Sequence, residues 1–596
     1  AYAVDGYPLV PNESDIGYAY NNAYGPLRLI VEESKSMWVK WTDCIVVGNG
    51  DYEEPKMEDV KELDIPSTGV EKIDEEVDTE DRIWIAYRND TGKELPEASV
   101  RSMEYDKDGN LWIGTNNGGL AVRTGEGKWT TIKEIETENV GTVKVDTCYA
   151  IVQKENGELW ISLGGALTPQ GILVKQDNRW KLLNPQNSLL PAAFVQELEL
   201  DGQGGLWIGT QYGVVYVDKD DNWKVYTEAE GLLPYSVDAI EPDGKGGAWI
   251  GYYPDTGGDE KNPLYIGGYQ HIASDGTITT YKDFDNTNFN LNWIRSISMD
   301  AKGGVWVVRS GNAPGFGKGE VDYILNGERT VYSTKDLYPT MGEEDDIRFV
   351  LADKEDEDVL YIATTAGGVV KTEGIGNVVE VYNGSNYFPT KQWNNVYFID
   401  WHEGDLLVGT NGGAAIYTHG TDFQDIKSHW AKKEIKEMAT MGYVKGSNGK
   451  FRPDDNITRA EFVAILVRIL GLDAANLNNP FKDIKDKDWF YEDVLIALDK
   501  GLIKGHSDGR FKPNEPIKRQ EIASILGNLL DIKLDEEDME KILAGFDDKV
   551  EDWAKNSVAK VIDAGIMKGL SDNIIGGKDN ATRAEATVML LRFLKY

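Results

Sequence analysis

Arg459 is the second residue of Thr-Arg-Ala-Glu at 458–461, and Arg583 holds the same place at 582–585. A third copy reads Lys-Arg-Gln-Glu at 518–521, with Arg519 in register. Threonine followed three residues on by glutamate, ahead of an apolar run, is the capping box that opens a helix. Phe462, Ile465, Leu466, Ile469 and Leu470 follow the first box at helical spacing and mark its buried side. An arginine in a first turn opposes the helix dipole but stands beside unpaired amides, and the two together attract a carboxylate. Anion binding is the chemistry expected of Arg459, Arg519 and Arg583, with packing between repeats as the alternative. Lys518 replaces a cap worth about 1 kcal/mol, so Arg519 is expected to contribute less, and alanine at Arg459 to weaken binding with little loss of fold.

A second set of candidates opens short strands earlier in the chain: Arg101, Tyr149, Gln196, Asp238, Arg295, Arg348 and Tyr397. Three guanidinium forks and two phenols around one axis suit an anionic ligand. Long connections on the same face carry Tyr235, Phe284, Phe289, Trp293, Tyr338, Tyr387, Phe388 and Trp393. Exposed, these rings make a carbohydrate platform; buried, they pin the loops. His271 and His402 are the histidines that could assist a base. No spacing selects a catalytic pair, so enzyme activity is left undecided and no catalytic residue is assigned.

The elements that must position these residues come in repeats. LWIGTNNGGLAV, from Leu111, is an apolar run, a tight polar turn and a second apolar run, and degenerate copies follow to LLVGTNGGAAIY at Leu406. Anchors at Trp112, Trp160, Trp207, Trp249, Trp306, Tyr361 and Leu407 lie 48, 47, 42, 57, 55 and 46 residues apart. A period near 50 is that of a four-stranded propeller blade, whose faces are hidden only by its neighbours. Seven blades are expected, with eight as the alternative, and the anchors are expected to pack between blades. The seventh unit lacks a fourth strand, which residues 25–33 (GPLRLIVEE) are expected to supply. RIWIAYR at 82–88 lies too close to Trp112 for a full blade to intervene. The acidic stretch 51–81 reads as a solvated insertion that leaves calcium open as a cofactor, with no other cofactor expected. The Asp-x-x-Gly-x-Leu-Trp-Ile-Gly-Thr segment at 106–115 resembles the two-component-regulator propeller repeat, which implies the same fold.

From Phe423 the period changes to that of helices, in copies that restart at Phe481 and Phe546. They share Asp425, Asp483 and Asp548; Trp430, Trp489 and Trp553; and Lys-Gly turns ending in Gly446, Gly505 and Gly569. These copies resemble the S-layer homology domain. The resemblance implies an exported protein held noncovalently at the cell wall or S-layer of a bacterium, with secondary cell-wall polysaccharide, often pyruvylated, as partner. It also implies polymer contacts from those aspartates, tryptophans, glycines and arginines; for the tryptophans, each of which opens an amphipathic helix, the alternative is that they plug the helix bundle. Copy three lacks the Phe-x-Pro segment of the other two and reads NIIGG instead, which puts its turn in question.

Bulk properties bound the rest. With 62 basic and 101 acidic residues the formal charge is -39, which argues against nucleic acid. Cys44 and Cys148, with five histidines, give no zinc spacing and are either separately buried or paired. No apolar run approaches the roughly 20 residues of a membrane span. The expected architecture is an all-β seven-bladed propeller over 1–422 followed by an all-α trio at 423–480, 481–545 and 546–596. The expected role is a wall-anchored surface protein whose propeller binds an extracellular glycan or surface protein. The alternative is an anchored polysaccharide lyase or glycoside hydrolase.

Overall fold

The computed structural model describes the strands within residues 27–62 and, from Arg82 onward, all residues except 89–94, 97–98, 126, 166–167, 260–261, 282–292, 311–318, 344, 354–355, 386 and 474–476. The chain divides into two compact units, 1–81 and 82–596. In the first, Leu27–Val31, Ser36–Trp41, Cys44–Asn49 and Lys61–Glu62 form an antiparallel sheet in chain order. The stretch read as a solvated insertion thus contributes a strand; its other residues, where calcium was left open, lie outside the described ones.

The second unit opens with seven four-stranded antiparallel sheets. Their first strands are Val100–Tyr105, Ile151–Gln153, Val195–Leu200, Val237–Pro242, Ile294–Met299, Ile347–Ala352 and Val396–His402, and each touches the next around the axis. All seven anchors are buried. Each joins the hydrophobic cluster of the following blade: Trp112 packs with Ile161, Trp207 with Ile250 and Leu407 with Val100. The glycine two residues on lets the next blade close. A Cβ at Gly209 would lie 2.8 Å from Val237 Cγ1, and one at Gly251 2.4 Å from Ile294 Cγ2. An aspartate six residues before the anchor ties the hairpin in four blades, at Asp106, Asp201, Asp243 and Asp300. Asp201 Oδ1 accepts the Gln203 and Gly205 amides while Oδ2 accepts the Tyr216 hydroxyl at 2.7 Å. Asp300 does the same with Lys302, Gly304 and Tyr323.

The ring closes differently from the sequence expectation. The fourth strand of blade 7 is Ile83–Arg88, paired with Gly413–Thr418 over six residues, whereas residues 27–31 belong to the first unit. RIWIAYR needed no blade of its own, because closure requires one strand only. Trp84 stacks on Tyr417 at 4.9 Å and meets Phe388 edge-on at 5.2 Å. Cys148 is a buried free thiol; the Cys44 side chain lies outside the described residues.

The helical trio is a closed ring of its own. Its helices are α1 (Lys432–Thr440), α2 (Arg459–Ile469), α3 (Tyr491–Asp499), α4 (Arg519–Gly527), α5 (Glu536–Leu543), α6 (Lys555–Asp563) and α7 (Arg583–Lys595). The first helix of each repeat packs on the second helix of the preceding one: α3 on α2, α6 on α4, and α1 back on α7. At the centre three backbone bonds run in a cycle, Ile457 N to Ala581 O, Ala581 N to Ile517 O, and Ile517 N to Ile457 O, at 2.9–3.1 Å. The trio docks on the seam of the propeller. α1 lies against the closing strand, Arg88 Nη1 donates to Lys595 O at 2.9 Å, and buried Arg123 donates to Met441 O.

Candidate functional site

A β-bulge aims each axial residue. In six blades the register of the first strand slips by one residue, and the extra residue is Arg101, Gln196, Asp238, Arg295, Arg348 or Tyr397. A bulged residue leaves the pleat and turns its side chain out of the sheet. In blade 2 a hydroxyl takes that part: Ser162 Oγ accepts both the Tyr149 and Ala150 amides, at 3.0 and 2.9 Å. All seven predicted axial residues thereby gather at one mouth of the channel, around a cavity of about 210 Å³.

Charge at this mouth is unbalanced. Asp238 accepts from Trp293 Nε1 at 2.6 Å and from Gln196, and lies 3.5 Å from Arg295. Its capacity is used there. The Tyr397 ring lies between two guanidinium groups, Arg101 at 3.9 Å and Arg348 at 4.5 Å. Arg348 donates to Val396 O at 2.9 Å. Among the described residues Arg101 has no hydrogen-bond partner, and its Nε is buried. Burial draws Arg101 below the usual arginine range, and burial followed by the Arg295 charge brings Arg348 down to about 9.

Deeper in the same cavity lies an acidic collar that the sequence reading missed: Glu197, Glu199, Glu241 and Asp400, with Glu104 beside His402. Glu197 and Glu199 are hydrogen-bonded to each other. Burial, then Asp238, pushes Glu197 up to about 8, and burial, then Glu197, pushes Glu199 well above the carboxylate range. The collar was findable: Glu197 and Glu199 follow the bulged Gln196 by one and three positions. Among the described residues no group of three or more His, Cys, Asp or Glu is placed to hold a metal ion.

The other propeller candidates divide. Trp293 is at the mouth, 5.0 Å below Arg295. Trp393, Phe388 and Tyr338 are buried, so they pin loops rather than offer a platform. Trp393 is pressed over Gly412 and Gly413. His271 sits in a third strand on Asp243, and His402 ends an inner strand at the far end of the channel; neither reaches the mouth. Phe284 and Phe289 lie outside the described residues.

In the trio the arginines meet glutamates instead of solvent. One oxygen of each box glutamate caps its own helix, and the other takes the arginine of another repeat. The pairs are Arg459–Glu521 at 2.9 Å, Arg519–Glu585 at 3.1 Å and Arg583–Glu461 at 3.1 Å. Nor are the helix-end amides open. Arg459 N donates to Glu515 O and Ala460 N to Pro513 O, with equivalents at Arg519, Gln520, Arg583 and Ala584. The expectation of three free guanidinium–amide receptors is thus corrected: these groups close the ring. Asp425 takes the Phe451 and Arg452 amides, Asp483 those of Phe511 and Lys512, and Asp548 those of Ile575 and Gly576. Copy three therefore keeps its turn, since Gly576 (φ 63°) adopts the left-handed conformation of Arg452 and Lys512. Gly446 and Gly505 admit the Phe423 and Phe481 rings, where a Cβ would come within 2.2 and 2.4 Å. Gly569 leaves room for Ser571 O, 2.4 Å from where its Cβ would lie.

The tryptophans behave oppositely. Trp430, Trp489 and Trp553 are 62%, 63% and 55% exposed, among the most exposed large apolar side chains described. Trp430 flanks a groove of about 430 Å³ with Arg519, Lys568, Gly569, Glu585 and Arg592. Arg519, expected to matter least, is the box arginine lining this groove. Arg592, nine residues after Arg583, makes no side-chain hydrogen bond among the described residues; the sequence reading did not single it out.

A seven-bladed ring carried on a closed helical trio with outward tryptophans defines a surface protein built from a propeller and an attachment module. The S-layer homology domain matches residues 422–463, 480–523 and 545–587, and the two component regulator propeller matches 94–117. The chain thus carries three S-layer homology repeats behind a regulator-type propeller, and is a cell-wall- or S-layer-associated protein. It is 33% identical over 196 residues to an exoglucanase of Acetivibrio thermocellus, covering 32% of this chain and 18% of that one. It is 30% identical over 164 residues to a cellulosome-anchoring protein of the same species, 26% of this chain and 35% of that one. The propeller is similar to the extracellular domain of a putative hybrid two component system from B. thetaiotaomicron, with 18% identity, TM-score 0.42, and coverage of 56% and 42%. The chain spans about a third or less of these curated relatives.

Proposed function

We propose that the trio binds secondary cell-wall polysaccharide in grooves such as the one beside Trp430, and that the propeller it holds binds carbohydrate. The exposure of all three tryptophans carries the first half: a large aromatic face left in water at the same place in three repeats suits stacking on a sugar ring. Arg592 and Lys568 add positive charge for an acidic substituent such as a pyruvyl ketal. Purified walls are expected to retain the protein before, and release it after, chemical removal of the secondary polymer. Retention by stripped walls would reject the reading.

The competing reading is an anchored lyase or hydrolase, and Tyr397 between two guanidinium groups is the arrangement that favours it. A phenol acts as base on a uronate once its carboxylate is neutralised. Absorbance of unsaturated uronate and release of reducing ends, followed with acidic and neutral glycans, decide between binding and turnover.

A further inference from the structure

The mouth of the channel holds more positive charge than the protein neutralises. Three guanidinium groups face one carboxylate, and that carboxylate is already occupied by Trp293, Gln196 and Arg295. Clustered like charges held partly out of water are costly unless an anion completes them. The carboxylates next in line do not supply it. Glu197 and Glu199 share a hydrogen bond with each other, and burial raises both above the ordinary carboxylate range, so they are weaker counter-charges to the arginines than Asp238 is. Arg101 shows the shortfall most plainly, as a five-donor group whose described contacts are the rings of Tyr149 and Tyr397.

We infer that this mouth binds the carboxylate of an acidic sugar unit, presented end-on, at the guanidinium edges of Arg101 and Arg348 that flank the Tyr397 ring. This rests on the reading of the propeller as a carbohydrate binder and names the class of carbohydrate. Stacking on Tyr397 fixes both guanidinium planes in advance, so little side-chain freedom is lost when the anion arrives. The cavity of about 210 Å³ has room for about one sugar unit. Around the rim, on the turns beside the first-strand starts, stand Tyr212 (61% exposed) and Tyr253 (41%). Aromatic faces next to an anion site suit a sugar, whose ring stacks while its carboxylate reaches the arginines. An acidic peptide would use the charge and leave those faces bare. Beneath the anion, the hydrogen-bonded Glu197–Glu199 pair lies in the same cavity and offers polar partners for sugar hydroxyls.

The test uses the full chain and calorimetric titration with hexasaccharides of galacturonate, mannuronate and hyaluronate, their methyl esters, and a poly-glutamate peptide. At least one uronate is expected to bind one per chain, with its ester weaker by about ten- to a hundredfold, the range of one or two charge-assisted bonds. Arg101→Gln and Arg348→Gln are each expected to remove most of the difference between acid and ester while leaving ester binding in place. Arg348→Lys should restore part of it. The ester signal, with near-ultraviolet circular dichroism, reports that the variants remain folded. Equal binding of acid and ester would overturn the arginine site and leave a carbohydrate-binding propeller standing. Absence of binding to every glycan would overturn that broader reading too, and preference for poly-glutamate over every uronate would replace the sugar by a protein ligand. Acid binding unchanged in both Gln variants would place the carboxylate at the helical repeats and overturn the assignment.

Discussion

The arginine that opens the second helix of each repeat is a structural group in this protein, paired with a glutamate of another repeat. In the trio, Arg583 is 8% exposed and gives its donors to Glu461, Phe451 O and Lys445 O. Alanine there strands Glu461 beside a second repeat, at a cost of roughly 3–5 kcal/mol. Arg583→Ala is therefore expected to lower the urea midpoint strongly, and a fold left intact with weakened polymer binding would contradict it. Trp430→Ala and Arg592→Ala should do the reverse: weaker binding to isolated polymer, with stability changed by no more than about 0.5 kcal/mol. Glu197 gives a pH signature. Its folded pKa of about 8 lies above the ordinary carboxylate value near ~4.3. The folded state thus keeps a proton that the unfolded chain releases, and this contribution is whole below the unfolded pKa and lost as pH rises through about 8. Thermal unfolding is expected to soften over that window, less steeply in Glu197→Gln. An identical slope in the variant would remove Glu197 as its source.

At the scale of strands and helices, what the sequence disclosed depended on whether a feature repeats. Seven anchors at one period located every blade, and the axial residues followed because a bulge at the same step of six first strands aims them alike. The closing strand was misplaced because it occurs once. Nothing in Ile83–Arg88 marks it as a partner of Gly413–Thr418, more than 320 positions later, so spacing alone was a poor guide. The acidic collar escaped notice because alternating glutamates in a strand look like a solvated face; only closure of the ring turns them inward. The inter-repeat arginine pairs were hidden for the same reason, since the capping box names one partner of each glutamate and the fold supplies the other. Trp84 tests the closing strand. Its replacement by alanine should cost roughly 3–5 kcal/mol and expose blade 7 to limited proteolysis, whereas a wild-type cleavage pattern would mean the strand adds little to closure.

For the molecule from Arg82 to Tyr596, ring and trio share one hydrophobic cluster that runs from Ile83, Ile85 and Tyr87 to Ile435 and Met438. A shared core couples unfolding of the parts it joins. Scanning calorimetry is expected to give a single transition for ring and trio. Two well-separated transitions would show that the contacts at Arg88 and Arg123 are too weak to couple them.

The trio is seated on the seam where the propeller is sealed, and this bears on mechanics. In a protein tethered to a wall, any pull on the outer ring passes through the place where the tether meets it. The chain leaves the ring at Thr418, on the strand whose six side-by-side pairs with Ile83–Arg88 make the seal, while Arg88 reaches across to the last helix. Force applied there is divided among the six pairs with Ile83–Arg88, the pairs with the second strand of blade 7, and the helix contact beside them. The weakest point of an ordinary ring becomes, in this one, the fitting that carries the rope.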